Sequence, residues 1–218
     1  MIRDFGESAL LVEIGGSERA QALAASLVAR PIDGVTEVVP GLESLLVELD
    51  PSAADDVMVA LEERIAALKD AATPGRHRRI PVVYGGEHGP DLGTVAAQCG
   101  LTEAEVVERH TAAELRVLFD GFAPGFAYLG ELPSELRVPR LATPRTHTPP
   151  GSVAIAGAMS GIYPADLPGG WPVIGRTPVV LFDPRREPPA YLAPGDRVTF
   201  VPIGAADWPE DAGPAGDW

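Results

Sequence analysis

The chain has 218 residues, with 17 Lys+Arg against 31 Asp+Glu, a formal net charge of -14 and 45% apolar residues. Nucleic-acid affinity comes mainly from clustered cations that release counterions, so this acid excess excludes a nucleic acid as partner. A single cysteine, Cys99, excludes an internal disulfide and any multi-cysteine metal site.

No apolar run approaches the ~20 residues that a bilayer span needs, and no basic-then-apolar leader follows Met1, so a cytoplasmic chain with no membrane segment is expected. Ser8 to Ile14 alternates as a strand, Ser17 is placed to cap a helix running to Ala29, and two β-rich runs, Val35–Val39 and Leu45–Leu49, flank the turn Pro40-Gly41. Asp50 followed by Pro51 predicts a second helix start, and Val57, Leu61, Ile65 and Leu68 then recur at helical spacing as a core-facing stripe. Lys69, the only lysine, closes that surface helix, which sets aside Schiff-base and Walker-type lysine chemistry. With Arg79 to Tyr84 as a last strand, the order β-α-β-β-α-β predicts a ferredoxin-like α/β sandwich over residues 1–84.

Gly85 to Pro90 reads as a joint. Two short helices are predicted after it, Asp91–Gln98 and Thr102–His110, with Gly100 at a stop position and Thr102 with Glu105 as a capping box. Helical periodicity then ceases. Short apolar runs at Leu115–Phe119, Ser152–Ala156, Val179–Phe182 and Arg197–Val201, separated by Gly/Pro turns, predict a β-barrel domain over residues 85–204, so the fold class is α+β. The acidic, Pro/Gly-rich stretch 205–218 reads as a disordered tail.

The stretch from Gly121 to Asp183 alternates Gly, Pro and aromatic residues, which prescribes a rigid concave surface. Phe122, Pro124, Gly125, Phe126 and Tyr128 set rings around a fixed bend, either as the apolar floor for a small ring-shaped ligand or as a plug of the barrel's own end. Arg145 in T-P-R and Arg176 in G-R-T can each bind a carboxylate or phosphate through two parallel hydrogen bonds, with Thr143 and Thr177 as neighbouring hydroxyl donors, or can close a structural ion pair. Gly151 with Ser152, and Gly169 with Gly170 and Trp171, can present backbone amides to an anion, although turn geometry explains the same glycines. Tyr163 in G-I-Y-P joins these binding candidates. His110, at the end of a predicted helix, either complements that helix's negative end or serves as a polar wall or proton carrier. His77, His88, His110 and His147 lack metal-ligand spacing, so no metal is expected. Nothing in the sequence supplies a Walker loop, a nucleophile elbow or an amidase nucleophile beside its base.

Taken in order, P-G-F-A-Y-L-G, T-P-R, P-G-G-W and I-G-R-T-P resemble the 5-oxoprolinase B-subunit family, also called KipI-like or allophanate hydrolase subunit 1, over roughly residues 5 to 204. The resemblance implies a cyclophilin-like barrel for the second domain. It also implies a component that is inactive alone and works with a C-like subunit, and with an A-like one, to activate the lactam of 5-oxoproline for ring opening to glutamate. ATP and Mg²⁺ are then expected at the level of the complex, with Arg145 or Arg176 holding the substrate carboxylate or phosphate and His110 at the catalytic place. Alternatives from the same resemblance are a KipI-like inhibitor of a histidine kinase and a urea-carboxylase-like carboxyltransferase component. The chain departs from the family pattern in three places: Leu115 stands for a tyrosine, Met159-Ser160 for Gln-Thr, and Pro150 for an alanine.

Overall fold

In the first fifty residues apolar side chains alternate with polar ones, and this pattern builds a four-stranded antiparallel sheet from β1 (Ile2–Asp4), β2 (Ala9–Glu13), β3 (Val35–Pro40) and β4 (Ser44–Leu49), ordered β1-β2-β4-β3. The computed structural model describes residues 1–68 and 75–208. It divides into two compact units, Met1–Pro74 and Gly75–Trp218. In the first unit, Leu10 and Val12 of β2 and Leu45, Val47 and Leu49 of β4 share one core with Ala20, Leu23 and Leu27 of α1 (Ser17–Ala29) and Val57 and Leu61 of α2 (Ala54–Ala66). Each such apolar side chain contributes about 1.5–3 kcal/mol when fully buried. Ile65 and Leu68 pack at the margin of this core. The expected cap at Ser17 is not made, because Gly16 takes the N-cap place without a side-chain bond. Asp50 does cap, accepting from the Ser52 amide at 2.9 Å, but it opens a single 3-10 turn, Pro51–Ala53, that leads into α2. Lys69 lies outside the described residues.

The expected last strand of the sandwich belongs elsewhere. β5 (His77–Tyr84) pairs in parallel with β13 (Arg197–Pro202) and antiparallel with β12 (Val173–Arg176), inside the second unit. Its run Ile80–Val83 is buried on both faces, which suits an interior strand of a closed wall better than the edge of a two-layer sandwich. At the sheet edge where a ferredoxin-like order would put the fourth strand, β1 folds back on β2 as a hairpin instead, with Asp4 opposite Leu10.

The second unit is a closed seven-strand barrel, ordered β10-β7-β6-β13-β5-β12-β9. Its remaining strands are β6 (Leu115–Asp120), β7 (Ala127–Gly130), β9 (Ser152–Ala156) and β10 (Met159–Ile162). A separate ribbon pairs β8 (Arg145–Thr148) with β11 (Leu167–Gly169). Val179–Phe182, expected as a strand, makes only an isolated bridge from Phe182 to Ala190. Two helices precede β6, α3 (Leu92–Cys99) and α4 (Glu103–Ala112). Gly100 ends the first in a left-handed cap, and the Thr102–Glu105 capping box starts the second, a device worth roughly 1 kcal/mol. The barrel interior is filled by residues such as Ile80, Val82, Val117, Leu129, Val153, Ile155, Ile174 and Phe200. Cys99 is a free, half-buried thiol. Of the expected disordered tail, Ala205–Asp207 forms a 3-10 turn and Trp208 stacks on His88, with ring centroids 5.1 Å apart. Residues 209–218 lie outside the described residues. Among the described residues no helix is long and apolar enough to cross a membrane.

Candidate functional site

Alternation along the barrel strands sends neighbouring residues to opposite sides of the wall. Val153 and Ile155 enter the barrel core, whereas Ala154 and Ala156 join a second cluster with Phe126, Tyr163, Trp171 and Val173. Leu129 faces inward and Tyr128 packs on the second cluster; Ile162 faces inward and Met159 packs outside. The predicted rings therefore gather on the outer face of β7, β10 and β9, rather than plugging the barrel's end.

The rings meet edge to face: Phe122–Phe126 at 5.4 Å, Phe126–Tyr163 at 5.4 Å, Phe126–Trp171 at 6.1 Å and Tyr128–Trp171 at 5.8 Å between centroids. Glycines make the approach possible, because a Cβ at Gly161 would stand 2.8 Å from the Phe126 ring and one at Gly169 would collide with the Tyr163 hydroxyl. Phe126, Tyr163 and Trp171 are buried by one another and form a support, while Tyr128 is half-buried and Phe122 is 58% exposed. Phe122 is also the described non-glycine residue with positive φ, at 68°. Its turn is held by bonds from Gly121 N to Phe126 O (3.2 Å) and from Phe126 N to Ala123 O (3.0 Å), with Pro124 at the exposed tip and Gly125 against Leu181 and Phe182. Holding a bulky residue at positive φ costs on the order of 1 kcal/mol.

Arg145, on β8 opposite Gly169, borders this cluster. Its Nη2 donates to Asp91 Oδ1 at 2.7 Å, and Asp91 Oδ2 accepts the Val173 amide at 2.6 Å, so both carboxylate oxygens are engaged. Arg145 Nη1 is buried with no hydrogen-bond partner. Arg140 precedes Leu141, whose amide is bonded to Gly170 O at 2.7 Å, and the Arg140 side chain is exposed with no ion pair among the described residues. Burial pushes the Tyr128 and Tyr163 phenols up, and the positive charge of Arg140 opposes that rise in both, joined by Arg145 at Tyr163. The Trp171 amide also opposes the rise at Tyr163.

Arg176, Ser152 and Thr177 sit at the Gly151 turn. Arg176 pairs in register with Ser152, donates from Nε to Pro150 O at 2.8 Å, and lies over the Trp208 ring at 5.6 Å, so it is held by a carbonyl and a ring rather than by an ion pair. The Thr177 hydroxyl accepts the Val179 amide at 3.2 Å and serves the turn. Tyr163 N bonds to Ser152 O at 3.0 Å, tying this turn to the aromatic cluster through the backbone.

His110 is set apart from the outer cluster, fully buried within the unit. Its ring stacks on Phe200 with centroids 4.5 Å apart. Ser160 Oγ donates to Ala154 O at 3.2 Å and so accepts from His110 Nε2–H at 3.1 Å, which leaves Nδ1 to accept the Tyr84 hydroxyl at 2.8 Å. Burial drives its pKa down to about 3, so the ring is neutral and does not complement the helix end as a cation. Tyr84 on β5 and Ser160 on β10 are thus the two side-chain partners of His110, while Leu115 is buried in the barrel core. Met159, beside it, faces the aromatic cluster with a thioether and no amide.

Sequence reasoning missed Arg140, Tyr84, Asp91 and Asp120. Asp91 was legible only as a helix start, and its role depends on a strand 82 residues away. Asp120, the last residue of β6, is pushed up to about 6, first by burial and then by Asp196. An open groove lined by Leu11, Glu13, Gly15, Glu43 and Ser44 lies in the first unit and contains none of the predicted site residues. Among the described residues no group of three or more His, Cys, Asp or Glu side chains is placed to hold a metal ion.

Residues 1–192 match the family described as carboxyltransferase domain, subdomain C and D. The chain is 45% identical over 205 residues to the 5-oxoprolinase B subunit of Escherichia coli O157:H7, covering 90% of this chain and 93% of that one. It is 39% identical over 226 residues to the protein of the same name from Bacillus subtilis (strain 168), covering 95% and 94%. Among solved structures, the crystal structure of TTHA0988 superposes with a TM-score of 0.81 at 35% identity, covering 96% of this chain and 42% of that longer chain.

Proposed function

The chain belongs to the 5-oxoprolinase B-subunit family, and from that membership we propose that it works as one component of a hydrolase complex that opens the lactam ring of 5-oxoproline to glutamate. The observation that carries this reading is 45% identity extending over 93% of a relative named for that enzyme. In the proposed division of labour, a C-like subunit completes the site, an A-like subunit takes the activated lactam on to hydrolysis, and this chain contributes binding and orientation. An unstrained amide is a poor electrophile, so activation of its carbonyl oxygen, expected to use ATP, belongs to the assembled complex. The described residues offer no carboxylate cluster for Mg²⁺ and no phosphate loop, so no step of nucleotide chemistry is assigned to residues of this chain.

What this chain can do is position a small acid. The aromatic support fixes Tyr128 and Phe122 on the outer barrel face, and Arg145, paired with Asp91, lies at its margin with a buried, unpaired Nη1. His110, neutral and bonded on both nitrogens, supports the wall behind it instead of meeting substrate. A cytoplasmic location is part of the same proposal.

The family description favours a second reading, carboxyl transfer, in which the same face receives a carboxylated carrier. Reconstitution separates the two. The chain, purified with candidate A-like and C-like subunits, is expected to support ADP release on addition of 5-oxoproline and to lose it when this chain is omitted. Absence of lactam-dependent ADP release from the full set, together with acceptance of a carboxyl group from a biotin-carrier protein, would replace the first reading with the second.

A further inference from the structure

We propose that Arg140, together with the hydroxyls of Tyr128 and Tyr163, forms the recognition point for the carboxylate of a small cyclic acid whose ring lies against Phe122. Arg140 lies outside the four blocks that carry the family resemblance, and the proposal deepens the hydrolase reading, on which it rests, by naming the group that selects an acidic lactam over a neutral one.

Charge accounting comes first. In a chain with 31 Asp+Glu and only 17 Lys+Arg, a carboxylate partner for any given cation is abundant. Yet between them Arg140 and Arg145 meet one carboxylate, Asp91, whose two oxygens are already taken by Arg145 and the Val173 amide. Arg140 is left exposed with no ion pair among the described residues, and Arg145 Nη1 with no hydrogen-bond partner. One positive charge is therefore uncompensated on this face.

Its surroundings suit an anion with a flat body. Leu141 is pinned to Gly170, next to Trp171, and burial raises the Tyr163 phenol while the neighbouring Trp171 amide opposes that rise. The Tyr128 and Tyr163 phenols both feel the Arg140 charge, which places the three groups in one electrostatic neighbourhood. Phe122 is 58% exposed beside them, edge-on to Tyr163 at 6.4 Å between centroids. The planar guanidinium and two hydroxyl donors match the lone pairs of one carboxylate. The exposed ring offers apolar contact to a five-membered ring.

The test uses the full chain in complex with its partner subunits and two probes, L-5-oxoproline and 2-pyrrolidinone, the same lactam without the carboxylate. Binding is followed by ligand-observed NMR, and turnover by ADP release. Arg140→Gln is expected to weaken L-5-oxoproline binding about 10- to 100-fold, the range for losing a charge-assisted hydrogen bond, and to leave 2-pyrrolidinone binding unchanged. KM should rise in step while kcat changes little, and Arg140→Lys should recover part of the loss. Because Arg140 is exposed, unchanged thermal unfolding of the variant is the accompanying control. The proposal is overturned if the wild-type complex binds the two probes equally or binds neither, or if Arg140→Gln leaves L-5-oxoproline affinity intact. If ADP release fails but carboxylate binding still depends on Arg140, the hydrolase reading falls and the recognition point stands.

Discussion

The two sides of one barrel wall treat polar groups in opposite ways. Inward, Tyr84, His110, Ser160 and the Ala154 carbonyl form a chain in which every donor meets an acceptor. Outward, Arg145 keeps a buried nitrogen unpaired, Arg140 keeps its whole charge, and Phe122 holds a strained backbone to display its ring. Satisfied polarity is what a folded interior demands, because an unpaired buried group costs about 1–3 kcal/mol. The opposite face carries an exposed Arg140, unpaired among the described residues, and an exposed Phe122 at positive φ, the features on which the proposed recognition rests. The comparison ties His110 to the fold and leaves the arginine–tyrosine face as the place where the proposed recognition is to be tested.

Breaking the inner side should have the largest effect. His110→Ala removes a stacked ring and leaves Tyr84 and Ser160 without their shared partner, so unfolding free energy should fall by roughly 3 kcal/mol, read by chemical denaturation. The wild type should also carry an acid-sensitive contribution. His110 is depressed to about 3 in the folded state from an ordinary 6.5, so the unfolded chain binds the extra proton between those values. Its stabilising share is complete above pH 6.5 and is lost as pH falls toward 3, a slope that His110→Ala should abolish.

Asp120 sharpens the comparison with the opposite sign. Raised from 3.8 to about 6, it is better protonated in the folded state, so stability declines as pH climbs through that window. Asp120→Asn should therefore unfold at higher temperature than wild type above pH 6, with a gain on the order of 1 kcal/mol after allowing for its partial exposure, and should match it near pH 4. A variant less stable at pH 7.5 would show that the carboxylate has a compensating partner.

The smallest effect on stability is expected at Phe122. Phe122→Gly relieves the positive φ and removes an exposed ring, so stability should stay within about 0.5–1 kcal/mol of wild type, on either side. Lactam-dependent ADP release by the reconstituted complex should nonetheless drop. Unimpaired turnover would demote the displayed ring to a feature of the turn.

Local signals in the sequence are legible where a few neighbouring residues decide the outcome. The Thr102–Glu105 box, the stop at Gly100 and the stripe Val57–Leu61 depend on contacts within a turn or two of helix. Partners of strands are not local. Arg79–Tyr84 alternates well enough for either unit, and only pairing with β13 and β12 places it in the barrel. The rigidity of Gly121–Asp183 is legible from its glycines, prolines and rings, but which side of a strand each ring occupies follows from register, so the rings' place outside the barrel is not. Arg140 lies outside the blocks that carry the resemblance, and its lack of an ion pair among the described residues is a matter of the fold. Tyr84 cannot be connected to His110 while its strand is assigned to the other unit.

The parallel seam between β5 and β13 has a consequence for biogenesis. It joins the first and last strands of the barrel, and Arg76 is tied to Asp196 across a separation of 120 residues. Loop-closure entropy of that size has to be overcome before the wall rewards it. The nascent N-terminal sheet, complete once residue 49 has emerged, can mature on the ribosome, whereas the barrel stays open until its final strand leaves the exit tunnel. Premature termination between the end of α2 and Arg197 should thus yield a polypeptide with a folded first unit and a chaperone-dependent remainder.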